Sequence, residues 1–305
     1  MDQVYPACYP HFRCIADRCR HSCCIGWEID LDEKTLKKYQ KAEGELGEKL
    51  RKNIAAGEDG AHFILGEGER CPFLNEKNLC ELILAWGENC LCQICADHPR
   101  FRSFFDGREE IGLGLCCEEA GRILLSWQEP MMLMGETESE AGEEREFFSI
   151  RQELFDLCQK RTLPLKARMR ILWAYCALEN KRTLQEYAEI FLSLEYMDEK
   201  MPRMLQRLAQ TEGVSFDPGA LEIPFEQLLW YMLFRHLAGA LEDDLYAERT
   251  ALCLLNVEMI CVLWQMEGER TLESLIEIAR MYSAEIEYSD ENIQVLLEAI
   301  QDAEI

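Results

Sequence analysis

From residue 147 to the end, apolar residues recur at intervals of three and four, the spacing of one face of an α-helix. They predict helices over 147–160, 166–180, 183–196, 198–212, 224–242, 245–266, 271–283 and 289–302. Pro164, Pro202, Pro218 and Pro224 fall at the starts or in the breaks of these segments, where a residue without an N–H is tolerated. The stretch L-L-W-Y-M-L-F-R-H-L-A-G-A-L is apolar nearly all round, which places it at the centre of a bundle. Ahead of residue 130 the pattern changes. W-E-I-D-L alternates like a short strand, and D-L-D-E-K-T-L-K-K-Y-Q-K then reads as a helix capped by Asp30 or Asp32, with Leu36 and Tyr39 facing inward. Residues 1–13 read as a short lead-in and 57–70 as a Gly-rich loop around H-F-I-L. A helix is expected over 78–87, strands over 102–105 and 109–116, and a helical stretch over 118–133. The expected fold is mainly α: a loop-rich module with a few short strands over 1–130, an acidic linker or loop over 131–146, and an all-α helical domain over 147–305.

Charge narrows the function. The formal net charge is −25, divided as −7 over residues 1–130 and −18 over 131–305. So acidic a chain repels nucleic acid phosphates, whose binding needs Lys and Arg, and attracts a basic partner. Many of these acids serve simply to solvate helix faces. The opening residues have no basic region followed by an apolar run, and no stretch approaches eighteen uninterrupted apolar residues. The expectation is a cytoplasmic protein that neither spans a membrane nor binds nucleic acid.

Twelve of the 16 cysteines lie in the first 117 residues. In a reducing compartment such clustering points to metal binding ahead of disulfides. Thiolate is the soft ligand suited to zinc and to iron–sulfur clusters. Cys92 and Cys95 form a C-x-x-C pair able to reach one metal. Cys14, Cys19, Cys23 and Cys24 supply C-x4-C-x3-C-C, Cys71 and Cys80 bracket a C-P-F-L turn, and Cys116 and Cys117 complete the set. Spacing does not decide between a four-iron cluster and zinc; His11, His21, His62 and His98 stand nearby as nitrogen ligands for the latter. Adjacent thiols such as Cys23 and Cys24 rarely both serve one small tetrahedral site, so one of them is expected to pack beside Trp27 or to bind a second metal. Cys158, Cys176, Cys253 and Cys261 sit in apolar helical stripes as small buried hydrophobes.

The order F-x-C-x4-C-x3-C-C-x-G-W, C-x-F-L-x5-C, L-C-x2-C-x3-P-R and L-x-C-x-E-A-x-R-x-L-L resembles the flagellin lysine-N-methylase (FliB) family. Its front module is similar to a zinc- or iron-chelating cysteine-cluster domain. The matching positions are Cys14, Cys19, Cys23, Cys24, Gly26, Trp27, Cys71, Phe73, Leu74, Cys80, Cys92, Cys95, Pro99, Arg100, Cys117, Glu119 and Arg122. Cys8, Cys90 and Cys116 fall outside the pattern. The resemblance covers residues 5–125, and it implies methyl transfer from S-adenosylmethionine to flagellin lysines with an iron–sulfur cluster, metal falling to Cys14, Cys19, Cys23, Cys24, Cys71, Cys80, Cys92, Cys95 and Cys117. The alternative is a non-enzymatic zinc- or iron-chelating protein.

Two familiar routes to S-adenosylmethionine chemistry are absent from the sequence. G-L-G at 112–114 lacks the strand–turn–helix frame of a dinucleotide-type fold, and 90–95 reads C-x-C-x2-C rather than C-x3-C-x2-C. Glu118 and Glu119 are candidates for a catalytic base, or else first-turn acids that complement a helix N-terminus. Arg100 and Arg122 could hold the carboxylate of S-adenosylmethionine, or pair with neighbouring acids. Trp27, Trp86 and Trp127 could meet a lysine ammonium, though core packing is the simpler role. His236, within W-Y-M-L-F-R-H-L, is expected to be a satisfied core histidine, and M-M-L-M-G to fill gaps or offer an adaptable surface.

Overall fold

The structure, a computed structural model, describes the chain apart from residues 1, 16–17, 27, 58–59, 136–142, 178–181 and 303–305. Trp27 and the middle of the expected linker at 131–146 therefore lie outside the described residues. In chain order the elements begin with strand β1 (Asp2–Pro6), strand β2 (Asp30–Leu31), helices α1 (Glu33–Gln40) and α2 (Gly44–Lys52), and strands β3 (Ile54–Gly57) and β4 (Gly60–Phe63). Then come α3 (Glu81–Trp86), α4 (Gln93–Asp97), β5 (Arg100–Phe105), β6 (Arg108–Leu113), α5 (Glu118–Leu125) and β7 (Leu133–Met134). The remainder is helical: α6 (Glu143–Cys158), α7 (Leu165–Tyr175), α8 (Leu184–Phe191), α9 (Lys200–Ala209), α10 (Glu222–His236), α11 (Ala240–Asp243), α12 (Tyr246–Met266), α13 (Leu272–Tyr282) and α14 (Asp290–Gln301).

The chain folds as two compact units. One is continuous, Arg13–Phe101. The other is made of Met1–Phe12 together with Arg102–Ile305. The segment expected to act as one module over 1–130 is thus shared: its first residues and everything from Arg102 belong with the helices.

In the thiol-rich unit, Asp32 accepts the Thr35 N–H at 2.9 Å and starts α1, as a cap should. Helix α2 crosses the end of α1 so closely that a Cβ on Gly47 would lie 2.2 Å from the Ala42 carbonyl oxygen. Strand β4, read as loop from its glycines, pairs antiparallel with β2 and β3. Ile29, Leu31, Tyr39, Leu50, Phe63, Phe73 and Leu82 form the core, and Cys71, Cys90 and Cys92 are part of it. Tyr39 is buried and donates its hydroxyl to the Cys90 carbonyl at 2.8 Å.

In the helical unit, a four-stranded sheet runs β5-β6-β1-β7. The expected lead-in is strand β1, which pairs in parallel with β6 (Gln3 opposite Glu109) and antiparallel with β7. Helices α10 and α12 are buried on nearly every face, as the unbroken apolar run of α10 foretold. Helix α12 is long and apolar enough to cross a membrane by composition, yet most of it is buried in this core. Boundaries shift where caps intervene. Helix α7 stops at Tyr175, and the helix expected over 271–283 continues into a π-helical turn, Ser283–Glu287.

Buried charges tie the sheet to the helices. Glu110 on β6 accepts two hydrogen bonds from Arg151 of α6, at 2.7 and 2.5 Å, and is also paired with Arg108. The Arg151 guanidinium lies 4.9–5.7 Å from the ring centroids of Phe147, Phe148, Phe155 and Phe234. Both side chains are almost wholly excluded from water, 2% and 1% exposed. Removing Arg151 leaves the buried Glu110 with Arg108 as its partner and takes away the guanidinium against which four rings pack. Arg151→Met is therefore expected to lower the urea unfolding free energy by roughly 3–5 kcal/mol. Removing the exposed pair Lys37–Glu33 should change it by less than about 1 kcal/mol. Equal midpoints for the two variants would refute this assignment.

Candidate functional site

Backbone hydrogen bonds in the thiol-rich unit draw cysteines from three separate segments towards one place. Cys71 N–H donates to the Cys24 carbonyl at 3.0 Å, which docks the 19–24 loop onto the 71–80 loop. The latter is closed by Asn75, whose side chain accepts the N–H groups of Lys77 and Leu79, and by a bridge between Leu74 and Cys80. Cys80 is the N-cap residue of α3 and Cys92 that of α4. Cys95 lies three positions after Cys92, on the same face of one helical turn. Asp32 fixes this turn: its second carboxylate oxygen accepts the Gln93 N–H at 2.9 Å while the first caps α1. Burial opposes ionisation of Asp32, yet the N–H donors of Gln93 and Thr35 hold its carboxyl below the usual carboxylate value.

The result is a cavity of about 60 Å³ lined by Cys23, Cys24, Cys71, Cys80, Cys95 and His98 against a wall of Tyr39, Phe63, Phe73, Leu82, Ile83 and Leu91. Cys92, fully buried, is hydrogen-bonded to Cys95. The thiols share protons in pairs. Hydrogen bonding from Cys24 lowers the pKa of Cys23 to about 7 and also lowers that of Cys71, while Cys24 itself is pushed up by those same contacts. Cys95 stands in the same relation to Cys92. Burial raises Cys80. Burial lowers the His98 imidazole to about 4, so near neutrality the ring is uncharged. Crowded thiols that divide too few protons, beside a neutral imidazole, make a donor set suited to a soft metal, which replaces the shared protons. Among the described residues no three such donors already stand as a group able to hold an ion. Their arrangement is one of pairs around a gap.

Not every expected ligand is there. Cys14 and Cys19 do not line the cavity; Cys19 donates to the His21 carbonyl at 3.0 Å. Cys117 belongs to the helical unit, as the N-cap residue of α5. Of the four histidines named above only His98 reaches the cavity, while His62 lies 3.3 Å from Glu28. Cys23 and Cys24, expected not to share a site, have sulfurs 3.9 Å apart and both face it. Cys90, outside the family-like pattern, is a core thiol bonded to the Leu82 carbonyl. The four cysteines after residue 130 are buried, as expected. What spacing concealed was the second bond of Asp32 and the aromatic wall.

The remaining candidates are in the helical unit, except Trp86 and Arg100, the latter donating to the Ala96 carbonyl at 3.0 Å. Glu119 is buried and receives two hydrogen bonds from Arg122, at 2.7 and 2.5 Å, so the fork of Arg122 is already turned towards a carboxylate of its own helix. Glu118 is half-buried in the first turn of α5. The turn leading into α5 is held from the core. Leu115 N–H donates to the Tyr231 hydroxyl, which donates to Glu287 at 2.9 Å, and Arg235 bonds both Tyr231 and the Glu287 carbonyl. A Cβ on Gly114 would lie 2.1 Å from the Tyr288 hydroxyl, so any larger residue here would have to displace the Tyr288 ring. His236 is buried and bonded to Glu287 at 2.9 Å, a satisfied core histidine. Trp127 lies against His11, with ring centroids 5.5 Å apart, and Trp86 is partly exposed.

The chain is similar to curated proteins named lysine-N-methylase and flagellar biosynthetic protein FliU, as its cysteine spacing suggested. It is 29% identical over 141 residues to the lysine-N-methylase of Salmonella choleraesuis strain SC-B67, covering 43% of this chain and 34% of that protein. With the lysine-N-methylase of Salmonella typhimurium strain LT2 it shares 28% identity over 141 residues, with the same coverage. It is 29% identical over 143 residues to the flagellar biosynthetic protein FliU of Salmonella muenchen, 44% of this chain and 82% of that one. The match thus spans about a third of the length of the two lysine-N-methylases. No protein-family model matches the chain, and no solved structure matches it at a significant level.

Two expectations follow from the cavity. Replacing Cys92 and Cys95 together by Ser should abolish the metal content of anaerobically purified protein, while Cys253→Ser, in the helical core, should leave it intact; equal loading in the double variant and the parent would disprove the ligand assignment. The second concerns His98. Its folded pKa of about 4 lies below the ordinary histidine value of 6.5, so between these the unfolded chain binds the extra proton and stability falls with falling pH. Metal-free protein should lose about 2 kcal/mol between pH 7 and pH 5 through this group, and His98→Gln should flatten that slope in urea titrations at the two pH values.

Proposed function

We propose that this chain forms the cysteine-rich part of a cytoplasmic protein-lysine N-methylase, which transfers a methyl group from S-adenosylmethionine to lysine side chains of flagellin, with an iron–sulfur centre in the thiol cavity. The observation that carries the reading is the convergence of Cys23, Cys24, Cys71, Cys80, Cys92 and Cys95 on one apolar-walled cavity, in a chain similar to proteins named lysine-N-methylase. Cys71 and Cys80, at the two ends of one loop, and Cys95, on α4, would hold the centre, with Cys24 as the fourth sulfur. When bound, such a centre supplies a redox-active Lewis acid beside an apolar wall.

The chain's own residues account for the rest. Methyl transfer by displacement needs a neutral lysine amine: its nitrogen attacks the sulfonium methyl, the carbon–sulfur bond breaks towards the leaving thioether, and a proton departs from nitrogen to a base. Glu118 and Glu119, in the first turn of α5, are the two proposed bases, and Glu119 is hydrogen-bonded to Arg122. The net charge of −25 favours approach of a lysine-bearing substrate and disfavours nucleic acid.

A second reading is favoured by one dimension. A volume of about 60 Å³ is the share of roughly two waters in the liquid. It suits a single ion as it stands, whereas a four-iron core needs the thiol-bearing loops to part. Zinc held by the same sulfurs would then serve structure in a non-enzymatic chelating protein.

The deciding experiment is anaerobic purification with iron, acid-labile sulfide and zinc measured on one sample, followed by incubation with flagellin and S-adenosylmethionine and mass spectrometry of flagellin peptides. Iron with equimolar sulfide and methyl-mass increments on lysine are expected. Zinc without sulfide, and unmodified flagellin, would transfer the assignment to the chelating protein.

A further inference from the structure

Six thiols stand at or behind the cavity, and a tetrahedral or four-cornered centre uses four. The surplus is not distributed at random. Cys71 and Cys92 are buried, Cys24, Cys80 and Cys95 are half-buried, and Cys23 alone of the six is exposed. Cys23 is also adjacent in sequence to Cys24, whose backbone carbonyl is bonded to Cys71 and whose thiol contacts both Cys23 and Cys71. These three sulfurs form a ladder from the surface to the interior.

The first rung has a metal-like span. Two sulfurs roughly 2.3 Å from one tetrahedral ion stand about 3.8 Å apart. The Cys23 and Cys24 sulfurs are 3.9 Å apart. Neither has to move appreciably for both to hold one ion, although they are neighbours in the chain.

We propose that Cys23 and Cys24 form the loading port of the thiol cavity, taking a thiophilic divalent cation from a soluble thiol carrier and passing it inward, with Cys23 absent from the final ligand set. The inference rests on the reading of the cavity as a metal centre. In the first exchange each of the two thiols loses a proton and forms one bond to the ion, and two carrier sulfurs leave with those protons. In the second, an inner thiol such as Cys71 bonds the ion and gives up its proton, and the Cys23 sulfur takes a proton as its own bond breaks. No electron changes hands. Cys24 stays bound throughout, which keeps the ion attached during the transfer.

The test uses the full chain, reduced and metal-free, mixed anaerobically with cobalt(II) in excess glutathione, with the thiolate-to-cobalt charge-transfer absorbance followed in time. Cys23→Ser should reach the parental final absorbance, which also shows that it folds, but several-fold more slowly. Cys14→Ser, at another exposed front-loop thiol that does not line the cavity, should load at the parental rate. Cys71→Ser should lower the final absorbance. Parental loading kinetics in Cys23→Ser would overturn the port, and so would a final absorbance reduced as in Cys71→Ser, since Cys23 would then be a permanent ligand. A parental final absorbance in Cys71→Ser would instead remove the metal centre itself.

Discussion

A carboxylate in an apolar interior has to be matched or it unfolds its surroundings, and Glu110 sets that condition for the helical unit. It lies on β6, the strand beside β1, and its two oxygens are met by Arg151 from α6 and Arg108 from its own strand. Four phenylalanine rings close over Arg151. Sheet and helices are therefore held in one relative register, because a slip would bury Arg151 without its carboxylate. The same device recurs at Glu226, between Arg161 and Arg168, and at Glu287, between Tyr231, Arg235 and His236. Through Tyr231 the last of these reaches the backbone of Leu115 and fixes the approach to α5.

The thiol-rich unit works by a different economy. Its core is small, and buried sulfurs occupy positions that larger side chains would otherwise fill. Main-chain bonds at Cys24 and Cys71, the Asn75 turn and the twin bonds of Asp32 bring the thiols together without any covalent link. Neighbouring thiols are hydrogen-bonded in pairs, and in each pair one sulfur is held protonated by the other.

Much of the helical unit was legible because its signals are local. Thr183 with Glu186 forms a capping box, Pro164 sits at the head of α7, and the apolar run of α10 declares its burial. The pairing of β1 with β6 was not legible, since neither strand carries information about a partner a hundred residues away. Strand β4 was hidden by its glycines, and the grouping of Met1–Phe12 with Arg102–Ile305 has no compositional boundary to betray it. For the site, cysteine spacing pointed to a cluster of thiols, and the structure brings Cys23, Cys24, Cys71, Cys80, Cys92 and Cys95 together. Spacing did not separate Cys71, Cys80 and Cys95 from Cys14, Cys19 and Cys117, because that depends on how the 71–80 loop folds back. The role of Asp32 as a cap could be read from the sequence; its bond to Gln93, across the unit, could not.

Strand β1 has a consequence for how the protein is made. Gln3 and Glu109 face each other across the sheet but are 106 positions apart. At a synthesis rate of about 5–20 residues per second, β1 waits roughly 5–20 seconds for its partner to leave the ribosome. The thiol-rich unit is complete by Phe101. All of its residues are therefore made while the strand ahead of it is still an unpaired edge and the helices behind it have yet to be translated.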